Sequence, residues 1–159
     1  MVRHAKIEEL KNIKDIYIKA KQYMNSYGNI NQWNNNYPNI EIITNDILNK
    51  RLYVCYDEEL IYGVFYFYKG IDPTYNYIEG KWLNDEEYGT IHRIASNGLR
   101  RGVLDEALAF CLKYVDNVRI DTHHDNIVMR NKLASLKFIQ CGIIYIQDGS
   151  PRIAYQFKK

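Results

Sequence analysis

The sequence predicts an α+β domain in which helices cover both faces of a central mixed sheet. Its 159 residues suit one domain, and 47% hydrophobic with 25% charged residues is the usual globular balance. Helical and strand patterns follow one another as strand, two helices, three strands, helix, strand, helix and two strands. A regular α/β repeat would require stricter alternation. We expect a single domain over residues 1–159, because no Gly-, Ser- or Pro-rich linker divides the chain.

The N-terminal part of the chain predicts a short strand followed by a long helix. Residues 2–5 have strand character, and the helix is expected from about Ile7 to Tyr27. Gly28 is a usual helix stop, and an asparagine-rich loop follows at residues 29–39. The apolar residues of the helix recur at helical spacing: Leu10, Ile13, Ile16, Tyr17 and Ala20.

A short second helix and a β-hairpin are predicted after this loop. Either Thr44 or Asn45 can cap the helix, which ends at Leu48. The segment LYVCYDEELIYGVFYFY, residues 52–68, is rich in aromatic and β-branched residues and predicts two strands. The turn between them is expected at residues 57–59.

The second half of the chain predicts strands separated by helices. We expect a loop-rich segment at 69–87 and then a strand at 88–96. A helix follows from the turn at 97–102 to about Tyr114, and a strand comes next at 117–124. The last elements are a helix capped by Asp125 or Asn126 and two strands at 141–146 and 152–157.

Charge and cysteine content exclude several classes of protein. A net charge of +2 does not indicate nucleic-acid or membrane binding. Three cysteines without a C-x-x-C pair argue against a disulfide framework or a cysteine zinc site. The charged N-terminus has no apolar core typical of a signal peptide, and the most apolar stretch, residues 60–68, is too short to span a bilayer. We therefore expect a cytoplasmic protein.

The most informative segment is a strand, a turn with two glycines and two arginines, and a helix, at residues 88–112. Gly98 and Gly102 allow the backbone to approach a ligand closely, and the helix N-terminus presents free N–H groups. Arg100 and Arg101 add charge suited to phosphate. The segment is either a pyrophosphate site or an ordinary corner with two solvated arginines. It is neither a Walker A loop nor a dinucleotide fingerprint.

This segment, with NVRIDTHHDNIVMRNKLASLKFIQCGIIYI after it, resembles the GNAT superfamily of acyl-CoA-dependent N-acetyltransferases. The resemblance extends over the whole chain. It implies an α/β/α layered fold with a mostly antiparallel mixed sheet, whose fourth strand (residues 88–96) and fifth strand (117–124) splay apart. It also implies direct transfer of an acetyl group from acetyl-CoA to a primary amine of a small molecule or peptide, without a metal. A homodimer is left open.

The same resemblance assigns the cofactor contacts. The pantetheine arm would lie in the gap between the splayed strands. The residues implied are Ile94, Ala95 and Ser96 for pairing with that arm, the N–H groups of Arg100, Arg101, Gly102, Val103, Leu104 and Asp105 for the pyrophosphate, and Asn126 for the cofactor arm.

The sequence departs from the family pattern at three leucines. Leu99 and Leu104 replace a Gln or Arg and a Gly or Ala of the family's pyrophosphate loop. Leu133 stands where the family often has the tyrosine that protonates the leaving thiolate, so Tyr145 or a water would have to substitute. These departures motivate a second hypothesis, a non-catalytic acyl-CoA-binding or interaction module with the same fold.

His92 and Glu86 are the candidate catalytic bases. An amine must lose a proton before it attacks a thioester, and His92 lies on the fourth strand, with Glu86 and Glu87 just before it. A backbone N–H near Ile94 would hold the oxyanion. The alternatives are a histidine bonded to a neighbour and solvated turn carboxylates. Neighbouring strand residues point to opposite faces, so His123 and His124 are not expected to share a metal ion.

Aromatic residues in two loops are the candidate walls of the acceptor site. Trp33 and Tyr37 lie in the asparagine-rich loop, and Trp82 lies in the loop-rich segment before the fourth strand. Such walls suit an apolar or cationic acceptor. The alternative is that these side chains only anchor long loops.

Overall fold

The computed structural model describes residues 1–34, 36–58 and 60–159. Glu59 of the predicted hairpin turn and Asn35 of the asparagine-rich loop lie outside the described residues. The described elements, in chain order, are β1 (Val2–His4), α1 (Leu10–Ser26), α2 (Ile40–Leu48), β2 (Leu52–Asp57), β3 (Leu60–Lys69), β4 (Glu79–Gly80), β5 (Gly89–Ser96), α3 (Val103–Cys111), β6 (Asn117–Thr122), α4 (Ile127–Ser135), β7 (Ile139–Tyr145) and β8 (Pro151–Lys158).

The strands form one mixed sheet in the order β1-β2-β3-β5-β6-β8-β7-β4. Neighbouring strands are antiparallel except β5 and β6, which are parallel. The predicted fold class is therefore confirmed. The family's fourth and fifth strands are β5 and β6 here, because the two-residue β4 precedes them and pairs with β7 at the far edge of the sheet. None of the helices in the described part of the chain is long and apolar enough to cross a membrane.

Side-chain alternation along the strands gives the sheet one apolar core on each face. On β3, Val64 belongs to the core that contains α1 and α2, and its neighbour Phe65 belongs to the core that contains α3. Leu133 of α4 is fully buried in this second core. The helices are thus layered on both faces, as predicted.

Two helix boundaries differ from the prediction. α2 begins at Ile40 rather than near Thr44, because the Asn39 side chain accepts a hydrogen bond from the Ile42 N–H at 2.8 Å and caps the helix earlier. α3 ends at Cys111, before the expected Tyr114. The cap of α4 is Asn126, one of the two predicted residues.

β5 and β6 separate after two paired positions. Gly89 lies opposite Val118 and Thr90 opposite Arg119, and no later pair joins the two strands as far as the structure describes them. The pairing of β5 with β3 shifts register in this region, and Arg93 has a φ of 47°, a conformation that few non-glycine residues adopt. The Tyr17 hydroxyl of α1 donates a hydrogen bond to the Arg93 carbonyl at 2.9 Å, so α1 supports this part of β5.

Leu133→Ala should lower the free energy of unfolding by about 2–5 kcal/mol, because it opens a cavity at a fully buried position. The measurement is urea denaturation followed by circular dichroism. Leu48→Ala is the matched control, since that side chain is 66% exposed and its loss should cost less than about 0.5 kcal/mol. Equal effects of the two substitutions would contradict the placement of Leu133 in the core.

Candidate active site

The separation of β5 and β6 opens a cleft of about 980 Å³. Its walls come from both faces of the sheet: the end of α1 and the loop after it, the loop before α3, the start of α4 and the turn between β7 and β8. One cleft therefore connects the glycine-rich turn before α3 with the loops that surround His92.

Most of the residues predicted to contact the cofactor border this cleft. They are Ile94, Ala95, Ser96, Arg100, Arg101, Val103, Leu104 and Asn126. Gly102 and Asp105 do not border it. Gly102 precedes α3 with a φ of 87°, and Asp105 forms an ion pair with Lys132 at 2.7 Å.

The turn before α3 combines positive charge with open space. An added Cβ on Gly102 would meet only the Asp105 Oδ2, at 3.7 Å, and one on Gly98 would meet nothing within 4 Å. Arg100 pairs with Asp57 and lies over the Tyr62 ring, 5.4 Å from its centre. Leu104, the departure from the family loop, packs into the core while it borders the cleft.

Asn126 is largely occupied by contacts within the protein. Its Oδ1 accepts hydrogen bonds from the Met129 N–H at 3.1 Å and the Tyr27 hydroxyl at 2.8 Å, and its Nδ2 donates to Gln32 Oε1 at 2.8 Å. The side chain is also buried. Asn126 thus ties the start of α4 to the end of α1 and the following loop.

His92 lies between two aspartates. Its Nε2 is 2.6 Å from Asp72 Oδ2, and its Nδ1 is 3.7 Å from Asp121 Oδ1. The buried Tyr75 hydroxyl donates to the same Asp121 oxygen at 2.6 Å. Both His92 and Asp121 border the cleft. The two interpretations of His92 are therefore compatible. One ring nitrogen can bond to a neighbouring residue while the other is available for a reaction.

The state of Asp72 determines which nitrogen of His92 is free to accept a proton. Burial raises the pKa of Asp72, but hydrogen bonds from His92 and from the Thr74 N–H outweigh it and hold the pKa below its ordinary value. An ionised carboxylate only accepts hydrogen bonds, so the Nε2 of His92 must donate. In the neutral ring, Nδ1 then carries the lone pair, on the side of Asp121.

A second charged group, centred on Arg93, closes the cleft on the side of α2. The guanidinium forms two hydrogen bonds with Asp46, at 2.8 and 3.0 Å, and donates a third to the Tyr37 hydroxyl at 3.1 Å. It also lies 4.7 Å from the centre of the Tyr66 ring. Burial lowers the pKa of Arg93, but Tyr37 and Asp46 raise it by more than burial lowers it. The pKa therefore lies above its ordinary value, and the guanidinium stays charged.

Trp33 and Tyr37, two of the three predicted acceptor residues, border the cleft. Trp82 does not: it packs beside Tyr75, and its Nε1 donates to the Tyr75 carbonyl at 3.0 Å. Its ring packs, partly buried, against a small core at the edge of the sheet, a position that favours the anchoring alternative.

Two predicted proton-transfer residues also lie away from the cleft. Glu86 is 59% exposed and accepts a hydrogen bond from Asn117 at 3.1 Å, so its position is that of a solvated turn carboxylate. Tyr145 packs near Tyr77, with 6.5 Å between ring centres, and does not border the cleft. The exposed position of Glu86 favours the alternative of a solvated carboxylate over a role as base.

Three charged residues that were not predicted as site residues, Asp72, Asp121 and Arg152, contact His92 or border the same cleft. A signal was present for two of them. Asp121 follows Ile120 in the predicted strand NVRIDT, and Arg152 begins the predicted strand RIAYQF. A charged residue in a strand that is otherwise buried indicates a polar site.

Asp72→Asn should reduce stability in a pH-dependent way. A folded pKa below the ordinary value means that Asp72 stabilises the fold above about pH 4 and that this contribution disappears as the pH falls through the folded pKa. We expect a deficit of about 1–2 kcal/mol at pH 7 that shrinks below about pH 4. Urea denaturation from pH 3 to 7 measures it, and Asp85→Asn, an exposed carboxylate, should follow the wild-type curve. A deficit independent of pH would contradict the ionised Asp72.

Comparison with known proteins assigns the family. No family model matches the chain, and no curated protein matches it. Among solved structures, an acetyltransferase of the GNAT family from Streptococcus agalactiae 2603 is 32% identical, with 100% of this chain and 95% of that chain covered and a TM-score of 0.86.

Two more distant structures share the fold. A GNAT-family acetyltransferase from Listeria monocytogenes 4b F2365 is 17% identical (100% and 94% covered, TM-score 0.70). A ribosomal-protein-alanine N-acetyltransferase from Brucella melitensis is 16% identical (100% and 99% covered, TM-score 0.67). With nearly a third of its residues identical to the streptococcal acetyltransferase over the full length, this chain belongs to the GNAT superfamily of N-acetyltransferases.

Proposed function

We propose that the protein transfers the acetyl group of acetyl-CoA to the primary amine of a small molecule or peptide. The observation that carries this proposal is the unpaired edge of β5 beyond Thr90, which borders the same cleft as the turn before α3. Acetyl-CoA supplies a thioester: a nitrogen–carbon bond forms, the carbon–sulfur bond breaks, and CoA leaves as a thiol while the amine becomes an amide.

The residues of the cleft fit acetyl-CoA. An extended amide chain pairs well with a free strand edge, which Ile94, Ala95 and Ser96 offer. The N-terminus of the nine-residue α3 and the charges of Arg100 and Arg101 suit a pyrophosphate. Leu99, where the family has Gln or Arg, is 63% exposed and leaves the turn open.

His92 would act as the general base of this reaction. Asp72 holds the Nε2–H, so Nδ1 accepts a proton from the attacking amine. Asp121, whose Oδ1 is 3.7 Å from Nδ1, would attract a positively charged amine to this position. A backbone N–H near Ile94 would stabilise the charge that develops on the thioester oxygen. Asp72 is thus a positioning residue, and His92 the catalytic one.

An amine acceptor is supported by the cleft and by one relative. Trp33 and Tyr37 give aromatic walls, which suit a cationic or apolar group. The Brucella melitensis structure is named a ribosomal-protein-alanine N-acetyltransferase, so its acceptor is an amine.

The alternative is an acyl-CoA-binding or interaction module without activity. It is favoured by Leu133, which is fully buried, and by Tyr145, which does not border the cleft, because neither can protonate a leaving thiolate there. The proton that His92 removes can return to the thiolate through water, so a tyrosine is not required for the balance of protons.

Gly102→Ala should weaken acetyl-CoA binding about 10-fold or more, because a side chain at this left-handed residue distorts the turn before α3. Titration calorimetry measures the affinity. Gly28→Ala is the matched control: its φ of 93° imposes a similar strain of about 1 kcal/mol, but Gly28 follows α1 and does not belong to the turn before α3.

Both glycine variants should lose similar stability, and only Gly102→Ala should lose affinity. If acetyl-CoA at millimolar concentration neither binds to nor raises the melting temperature of the wild-type protein, the proposed function is wrong.

His92→Gln should lower kcat about 10²- to 10⁴-fold with little change in acetyl-CoA affinity, because it removes the general base. Thiol release in the presence of a panel of amines measures kcat. Asp72→Asn should give a smaller loss, since the ring remains but is held less firmly. A His92→Gln variant with wild-type kcat would assign the base to another group. Binding of acetyl-CoA to the wild-type protein without turnover on any amine would favour the non-catalytic acyl-CoA-binding module.

A further inference from the structure

Arg152, at the start of β8, is a buried cation that borders the cleft. Only 6% of the residue is exposed. Its guanidinium donates hydrogen bonds to the backbone carbonyls of Pro151 and Gln32, each at 2.9 Å. No carboxylate among the described residues lies within 4.0 Å of it, whereas Arg93 and Arg100 each have one. The charge of Arg152 is therefore unpaired at close range.

An unpaired buried charge is costly, which indicates that an anion completes the site. Burial lowers the pKa of Arg152, and the more distant Asp121 and Asp148 offset this only in part. A guanidinium nevertheless stays charged in proteins. Two bonds to neutral carbonyls leave donors for a ligand, and a carboxylate fits the planar fork with two parallel hydrogen bonds.

The position in the cleft distinguishes Arg152 from another buried arginine. Arg119 is 5% exposed and also has no carboxylate within 4.0 Å in the described chain, but it lies over the rings of Trp82 and Tyr88 and does not border the cleft. Arg119 is stabilised by the aromatic rings. In the described part of the chain no aromatic ring lies against Arg152 in this way, and a ligand in the cleft can reach it.

Arg152 lies beside the residues that would receive the amine. Asp121 of β6 pairs with Ala154 of β8, and Arg152 precedes Ala154 by two residues on the same face of the sheet. Diagonal neighbours of this kind are about 7–8 Å apart. Asp121, in turn, is 3.7 Å from His92 Nδ1. One small molecule can therefore contact a carboxylate and imidazole at one end and a guanidinium at the other.

We propose that the acceptor is a free amino acid, whose carboxylate binds Arg152 while its amine lies between Asp121 and His92. This inference rests on the proposed N-acetyltransferase function and narrows its substrate class. The opposite charges at the two ends match an amine and a carboxylate separated by a few bonds. A protein N-terminus lacks that carboxylate.

The test compares each amino acid with its own carboxamide as acceptor, using acetyl-CoA and thiol release. The two differ by one charge and little in shape. The amine of a carboxamide has a lower pKa than the amine of the corresponding amino acid. For this reason kcat/KM is measured across pH and expressed per concentration of unprotonated amine. We expect at least one amino acid to be preferred over its amide by roughly 10- to 100-fold, the range of a hydrogen bond between charged groups.

Arg152→Met should reduce the ratio of kcat/KM for the amino acid to kcat/KM for its amide to about one, mainly through the KM of the amino acid. The rate with the amide and the affinity for acetyl-CoA should stay near the wild-type values. A merely structural Arg152 would lower both rates equally. Arg51→Met is the control for loss of one positive charge, because Arg51 stacks on Tyr68 and does not border the cleft; it should retain the preference.

The outcomes separate this inference from the proposed function. Turnover of amides, simple amines or peptides at rates equal to or above those of the amino acids would overturn the amino-acid site and leave the acetyltransferase proposal intact. Turnover of no amine would contradict both. The comparison of acid and amide uses the wild-type protein, so it decides the question even if Arg152→Met does not fold.

Discussion

Among the residues that the structure describes, two positions pair β5 with β6, and the arrangement of the groups around the cleft depends on how these strands separate beyond them. Backbone groups on a strand edge need hydrogen-bond partners, so an edge left open inside a protein is a binding surface. β3 and β8 hold the outer edges of the two strands, which prevents the gap from closing by a shift of either strand alone. The supporting bond from Tyr17 to the Arg93 carbonyl adds a contact from α1.

Charge is distributed unequally around this gap. At one end, the turn before α3 is positive and open, as a diphosphate requires. At the other end, Arg93 is neutralised by Asp46, His92 is held by Asp72, and Asp121 and Arg152 remain to face a ligand. The end of the cleft at the turn before α3 thus carries the arginines Arg100 and Arg101, whereas the end around His92 carries charges of both signs.

Prediction from the sequence was most reliable where a local pattern carries the signal. The hairpin of β2 and β3 follows from a high content of aromatic and β-branched residues, and the cap of α4 is one of the two residues predicted, Asp125 or Asn126. Prediction failed where a distant residue decides the outcome. Trp82 is an aromatic residue of the kind that lines binding sites, but it packs, partly buried, against Tyr75 at the far edge of the sheet.

The sequence by itself determined the order of helices and strands, the glycine and arginine turn before α3, and the histidine on β5, because these depend on neighbouring residues or on a contiguous motif. Only the tertiary structure decided what surrounds that histidine. Asp72 comes from a loop 20 residues earlier and Asp121 from the next strand, 29 residues later. Arg152 joins them because β8 returns antiparallel beside β6. Contacts between residues so far apart depend on strand pairing and packing, which no local pattern encodes.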